Sequence, residues 1–167
     1  MQLKYYIGQK TRFAHAIKFK QHKFDGLDEE VSNTSHVEAF FEDGIMYGAS
    51  EVDGGVRDKY MREFKNHWET VELGLTKTEE KFCRDYLKSK LGLEYDISGI
   101  VWAQVLGTNW FLRKNKYFCS ELIVEMLQEL LKSGLCTFET FERLRPVIGV
   151  APHMVTPAAL RLMTQDV

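Results

Sequence analysis

Ser35-His36-Val37-Glu38-Ala39-Phe40-Phe41-Glu42-Asp43-Gly44-Ile45-Met46-Tyr47-Gly48-Ala49-Ser50 reads as a β-hairpin. From Ser35 to Phe41, residues Val37, Ala39 and Phe41 fall on one face of a strand, and His36, Glu38 and Phe40 fall on the other. Glu42-Asp43-Gly44 is a turn signal, and Ile45 to Ala49 is the returning strand. A three-residue loop sets His36 opposite Ser50 and Glu38 opposite Gly48. A two-residue loop sets Glu51 opposite His36 instead.

Outward from the hairpin, the first half of the chain reads as strands and the second as helices. Ala14 to Phe19 alternates like a half-exposed strand, and Asp53-Gly54-Gly55 marks another turn. Thr76-Lys77-Thr78-Glu79 is a capping box opening a helix to about Leu91, with Gly92 as its C-cap. From Cys119 to about Leu131, residues Leu122, Ile123, Met126, Leu127, Leu130 and Leu131 make one apolar stripe that ends at Gly134. Thr156-Pro157 opens a last short helix, with proline at its first position. Strands followed by capped helices imply an α+β domain rather than a βαβ series. No repeat or linker divides residues 1–167, so a single domain is expected.

Composition narrows the classes. Apolar residues make up 44% and aromatics 13% of 167 residues, enough for a compact core. A net charge of −2 gives no global attraction to nucleic acid or membrane, and no nucleic acid is expected as a partner. Charge is uneven along the chain. Six basic and no acidic residues precede Asp25, and four acids follow between Asp25 and Glu30. No apolar run approaches the roughly 18–20 residues of a spanning helix, and Met1 to Tyr6 lacks the apolar core of a signal peptide. Cys83, Cys119 and Cys136 are odd in number and widely spaced, which excludes a disulfide framework and fits a reducing, cytoplasmic setting.

The chemistry centres on Cys119. A cysteine on the first turn of a helix feels the positive end of the macrodipole, which favours the nucleophilic thiolate. The same turn offers backbone N–H groups able to hold a developing oxyanion. The plainer alternative is a buried structural cysteine. A cysteine nucleophile needs an imidazole as base and then acid. Of the five histidines, His15 and His22 lie in the basic N-terminal segment, His67 in an unassigned stretch and His153 in a late loop. Only His36 stands on a strand with a carboxylate two residues on. Glu38, Ser50 or Glu51 could orient its ring, depending on hairpin register. A metal site from His36 and Glu38 lacks a third ligand, and no metal or cofactor is expected. Arg57 and Lys59 read either as an anion-binding pair or as solvated surface. Trp102, Trp110 and Phe111 read as core or as channel wall. Asp96 reads as a structural cap, and Glu121 as a cap of the cysteine helix.

Taken in order, Ser35-His36-Val37-Glu38 with its hairpin, Gly48-Ala49-Ser50, Asp53-Gly54-Gly55-Val56-Arg57, Tyr95-Asp96 and Tyr117-Phe118-Cys119-Ser120-Glu121-Leu122 resemble the permuted papain-like superfamily. This is the NlpC-type fold in which histidine precedes cysteine, as in YiiX-like amidases and lecithin retinol acyltransferase-like proteins. The look is closest to small phage-borne members. The resemblance spans roughly Phe13 to Leu160. It implies an antiparallel sheet packed on the cysteine-bearing helix, Cys119 as nucleophile and His36 as general base and acid. It also implies an amide- or ester-containing substrate, whether peptide, peptidoglycan stem, lipid or protein conjugate. The family's usual third polar residue falls here on Gly48, which has no side chain. Glu38 is the expected substitute and completes the candidate catalytic set with Cys119 and His36. The alternatives are a decayed scaffold acting as a binding or inhibitory protein, and a lipid acyltransferase.

Overall fold

A computed structural model of the chain describes residues 1–8, 32–61, 63–64, 67–100 and 115–165. The expected strand Ala14–Phe19, His15, His22, Trp102, Trp110 and Phe111 lie outside the described residues. Seven strands form one sheet: β1 (Gln2–Ile7), β2 (Thr34–Phe40), β3 (Ile45–Ser50), β4 (Gly55–Tyr60), β5 (Trp68–Glu72), β6 (Glu94–Tyr95) and β7 (Lys116–Tyr117). Their spatial order is β5-β1-β2-β3-β4-β6-β7. All neighbours are antiparallel except β6 and β7, which run parallel. The helices are α1 (Lys77–Ser89), α2 (Cys119–Lys132), α3 (Phe138–Leu144) and α4 (Pro157–Gln165), with a single turn at Ile97–Gly99. The class is α+β, with a mostly antiparallel sheet.

The hairpin forms as its alternation dictates. Val37, Ala39 and Phe41 are fully buried in the main core, while His36 and Phe40 on the other face are half-buried. The loop is three residues long. Phe41 N–H donates to Ile45 O at 3.0 Å, and Gly44, at φ 83°, supplies the left-handed residue that closes such a loop. The resulting register pairs Ala39 with Tyr47 and Phe40 with Met46. It is the register that sets Glu38 opposite Gly48.

α2 lays its stripe of Leu122, Ile123, Met126, Leu127 and Leu130 on β2 and β3, where Val37, Ala39, Tyr47 and Ala49 receive it. Buried side chains of this size stabilise by about 1.5–3 kcal/mol each. α1 begins with the expected reciprocal cap. Thr76 Oγ1 accepts from Glu79 N–H at 3.3 Å, and Glu79 Oε2 accepts from Thr76 N–H at 2.7 Å. Glu79 Oε1 also accepts from Thr137 N–H at 2.8 Å, tying the start of α3 to α1. α1 ends at Ser89 rather than Leu91, because Gly92 N–H is drawn onto Val56 O of β4 at 2.9 Å. α4 begins as expected, with Ala159 N–H donating to Thr156 Oγ1 at 3.2 Å.

Strands β1, β4, β5, β6 and β7 were not apparent from the sequence. β1 sits between β5 and β2, with Leu3 and Tyr5 in the main core and Lys4 and Tyr6 buried on the opposite face. Lys4 Nζ donates to Thr70 Oγ1 at 2.7 Å and lies over the rings of Phe40 and Phe64, at 5.2 and 4.5 Å from their centroids. β5 pairs with β1 through Leu3 and Val71, among others. Among the described residues no helix is long and apolar enough to cross a membrane.

Candidate active site

His36 stands beside an irregularity in β2. Tyr6 pairs with His36, but the next residue, Ile7, pairs with Thr34, so Ser35 is an extra residue in the strand. Ser35 Oγ fixes this bulge by donating to Gly8 O at 2.5 Å. Bulges of this kind end regular pairing and re-aim the neighbouring side chain. Two residues on and on the same face, Glu38 Oε1 meets His36 Nε2 at 2.7 Å. The edge of Trp68 stands against the imidazole, with ring centroids 6.2 Å apart and planes at 71°.

Glu38 is 2% exposed, and its carboxylate is saturated from the far side. Arg57 donates Nη1–H to Glu38 Oε2 at 2.5 Å and Nη2–H to Glu38 Oε1 at 2.8 Å. Arg57 Nε–H goes to Asp53 Oδ2 at 2.8 Å, and Asp53 N–H donates to Ser50 Oγ at 3.3 Å. The strand register explains the meeting. Gly48 on β3 pairs with Arg57 on β4 and lies opposite Glu38 on β2. A residue without a side chain in the middle strand lets the two outer ones meet across it. A Cβ at position 48 would stand 2.8 Å from Glu38 Cγ and 3.1 Å from Cδ. Gly48→Ala is therefore expected to destabilise the protein by about 1–3 kcal/mol. Urea unfolding checks this, and an unchanged midpoint would mean that Glu38 gives way at no cost.

The alternatives for the orienting residue separate here. Ser50 accepts from Asp53, and Glu51 lies in the turn after β3, whereas Glu38 holds the ring. Arg57 is not a free anion-binding side chain, since Glu38 and Asp53 occupy its guanidinium. Lys59 is exposed.

Cys119 is the first residue of α2 and is 2% exposed. Ser120 Oγ donates to Val155 O at 2.6 Å and pins the start of the helix. The first residues of a helix carry N–H groups with no intrahelical acceptor. Phe118 N–H donates to Glu121 Oε2 at 3.4 Å, so Glu121 acts as a cap. Cys119 lies close enough to His36 to act on its charge, so residues 83 positions apart come together.

Electrostatics follow from this row of groups. Burial works to lower the pKa of His36. The charge of Cys119, and then the hydrogen bond and charge of Glu38, overcome it and raise His36 to about 10. Burial works to raise Glu38, yet the hydrogen bonds from Arg57 and His36 hold it at about 2. Tyr95 lies against the same site, its hydroxyl pushed up by burial and then by the charges of Cys119, Glu51 and Asp96. Glu121 is raised to about 8 by burial and by Asp96 and Glu125, against the bond from Phe118 N–H. Asp96 accepts from Ser98 Oγ at 2.7 Å at the start of the single turn that follows.

The other expected residues stand apart. His67 is exposed and precedes β5, and His153 lies on the turn Pro152–Met154 with its pKa lowered by burial. Cys83 is fully buried with its thiol pushed up to about 12, and the Cys136 thiol is also raised by burial. Among the described residues no group of three or more His, Cys, Asp or Glu forms a metal cluster. Arg57, read from the sequence as an anion-binding or a surface residue, and Tyr95, named there only within a motif, are the members whose place at the site sequence reasoning did not give. No family model, curated protein or solved structure matches the chain.

Proposed function

We propose that the chain is a cysteine hydrolase that cleaves an amide or ester through a Cys119 acyl-enzyme, on a permuted papain-like scaffold. The observation that carries this reading is the row Cys119–His36–Glu38, in which Cys119 acts on the charge of His36, the imidazole is hydrogen-bonded to Glu38, the cysteine opens a helix and the carboxylate is buried behind the imidazole. That row holds the three roles of nucleophile, base and orienter that covalent acyl transfer requires. The order of histidine strand before cysteine helix, and the packing of that helix on the antiparallel sheet, support the scaffold assignment. Three free cysteines support a reducing cytoplasmic setting.

In the proposed cycle Cys119 Sγ attacks the substrate carbonyl, and the first-turn N–H groups of α2 steady the oxyanion. With Nε2 held by Glu38, Nδ1 is the ring nitrogen left for the sulfur. The proton on His36 passes to the leaving amine or alkoxide as the carbonyl bond breaks, leaving a thioester. Thioester formation removes the thiolate charge, the first of the causes that raise His36. The imidazole then becomes a better base toward the water that attacks the thioester, and the acid of one half-reaction serves as the base of the next.

The test is iodoacetamide labelling of each cysteine against pH, followed by mass spectrometry, in the unaltered protein and in His36→Ala. Cys119 is expected to label at least about tenfold faster than Cys83 or Cys136 near neutral pH, and to lose that advantage without His36. Equal rates at all three cysteines would overturn the reading and turn attention to a binding role for the same scaffold.

A further inference from the structure

We infer that Arg57, backed by Asp53, is a positioning residue that locks Glu38 as a carboxylate, so that His36 keeps its proton and its orientation toward Cys119. The inference rests on the hydrolase reading above and adds the part of the machinery that sets its working pH range.

The geometry is a row of groups of alternating sign. Cys119 lies beside His36, His36 bonds Glu38, Glu38 bonds Arg57 and Arg57 bonds Asp53, so that Glu38 and Arg57 each touch two partners of opposite charge once His36 is protonated. Both oxygens of Glu38 are taken by the guanidinium, a planar two-point grip that fixes the carboxylate plane as well as its charge. The missing side chain at Gly48 is what gives the carboxylate its seat, since a Cβ there would stand 2.8 Å from Glu38 Cγ. A lone buried carboxylate would take up a proton to escape its desolvation cost. A protonated Glu38 would hold the imidazole without stabilising its charge.

Other groups around the row do not substitute for Arg57. From β1, Lys4 pairs with Glu38 across the strands, but its ammonium goes to Thr70 Oγ1 at 2.7 Å. From β5, Trp68 brings an uncharged ring edge, and Glu69 is paired with Arg161 of α4. The turn after β3 brings Glu51 and Asp53, β6 and the turn after it bring Tyr95 and Asp96, and α2 brings Glu121 besides Cys119, all neutral or acidic. Arg57 is thus the cation bonded to Glu38 among the described residues apart from His36 itself.

The test follows the acid limb of the Cys119 iodoacetamide profile in the full chain. In Arg57→Met, burial of Glu38 is opposed by His36 alone, so Glu38 is protonated at higher pH and the thiolate–imidazolium pair is lost earlier. The acid limb is expected to move up by about one to three pH units. Arg57→Lys, with one-point contact, is expected to move it less, and Asp53→Asn least. A purely structural role would lower the folded fraction at every pH, read by circular dichroism, and leave the limb in place. An unmoved limb in folded Arg57→Met overturns the inference and leaves the nucleophile reading standing. If Arg57→Met does not fold, Arg57→Lys carries the test, and an unmoved limb there overturns the two-point lock. If Cys119 of the unaltered protein labels no faster than Cys136 at any pH, the hydrolase reading and the inference fall together.

Discussion

Cys119→Ala is expected to abolish formation of a covalent acyl-enzyme, and His36→Ala to slow it by about 10²–10⁴-fold. With p-nitrophenyl acetate as the probe, the unaltered protein should gain the mass of one acetyl group on Cys119 during turnover. The two replacements act differently. Removing Sγ removes the atom that forms the bond, so no residual acylation at that site is possible. Removing the imidazole leaves the sulfur at the helix start but takes away the group that holds its proton. Neither change should unfold the chain. Cys119 contributes a small side chain at the edge of the stripe formed by Leu122, Ile123 and Met126, and His36 lies on the half-buried face of β2. Circular dichroism separates loss of chemistry from loss of fold. Acylation retained at the same rate in His36→Ala, or found on Cys136 alone, would sink the assignment.

The parts of this architecture that were legible in the sequence are those written in local signals. The β2–β3 hairpin carries its alternation and its Glu42-Asp43-Gly44 turn within one short run, and α1 carries both halves of its cap. α2 shows its stripe because the helix is long and one face of it is wholly core. What stayed hidden depends on partners distant in the chain. β1 holds Lys4 in a buried position, which interrupts the apolar pattern, and Thr70 Oγ1 with the rings of Phe40 and Phe64 make that position tolerable. β5 buries Val71 alone and takes its place from pairing with β1. α3 escapes notice because it is short and its first residue, Phe138, is 80% exposed, so no stripe forms.

The candidate site divides in the same way. Glu38 could be chosen as the orienting residue because two-residue spacing puts it on the His36 face and hairpin arithmetic puts Gly48 opposite. Arg57 could not, since its partner lies two strands away and its sequence context resembles an ordinary surface turn. Gly48 was the informative absence. Where a polar third residue was expected, a glycine opens the passage through which a cation from β4 reaches the carboxylate on β2.

Glu38→Ala is expected to be the costliest single change at the site, destabilising the fold by about 3–5 kcal/mol, because it strands a half-buried guanidinium and imidazole without their shared counter-charge. The effect should carry a pH signature. Glu38 is held at about 2 against an ordinary 4.5, so its contribution is complete above 4.5 and is lost as pH falls through 2. His36 has the opposite sign. Raised from 6.5 to about 10, it stabilises fully below 6.5 and loses that contribution as pH rises through 10. The unaltered protein should therefore be most stable between 4.5 and 6.5 with respect to this pair, and weaken on both sides. In Glu38→Ala the acid arm disappears, and the alkaline arm moves toward neutral, since Glu38 is one of the groups raising His36. In Cys119→Ala the alkaline arm should retreat further, because Cys119 is the first of those groups, while the acid arm stays in place. Urea unfolding between pH 3 and 10 in the three proteins reads both arms at once. A Glu38→Ala protein that loses under about 1 kcal/mol and keeps the profile of the unaltered chain would show the pair to be no stronger than an exposed ion pair. It would also remove the electrostatic basis for holding His36 charged beside Cys119.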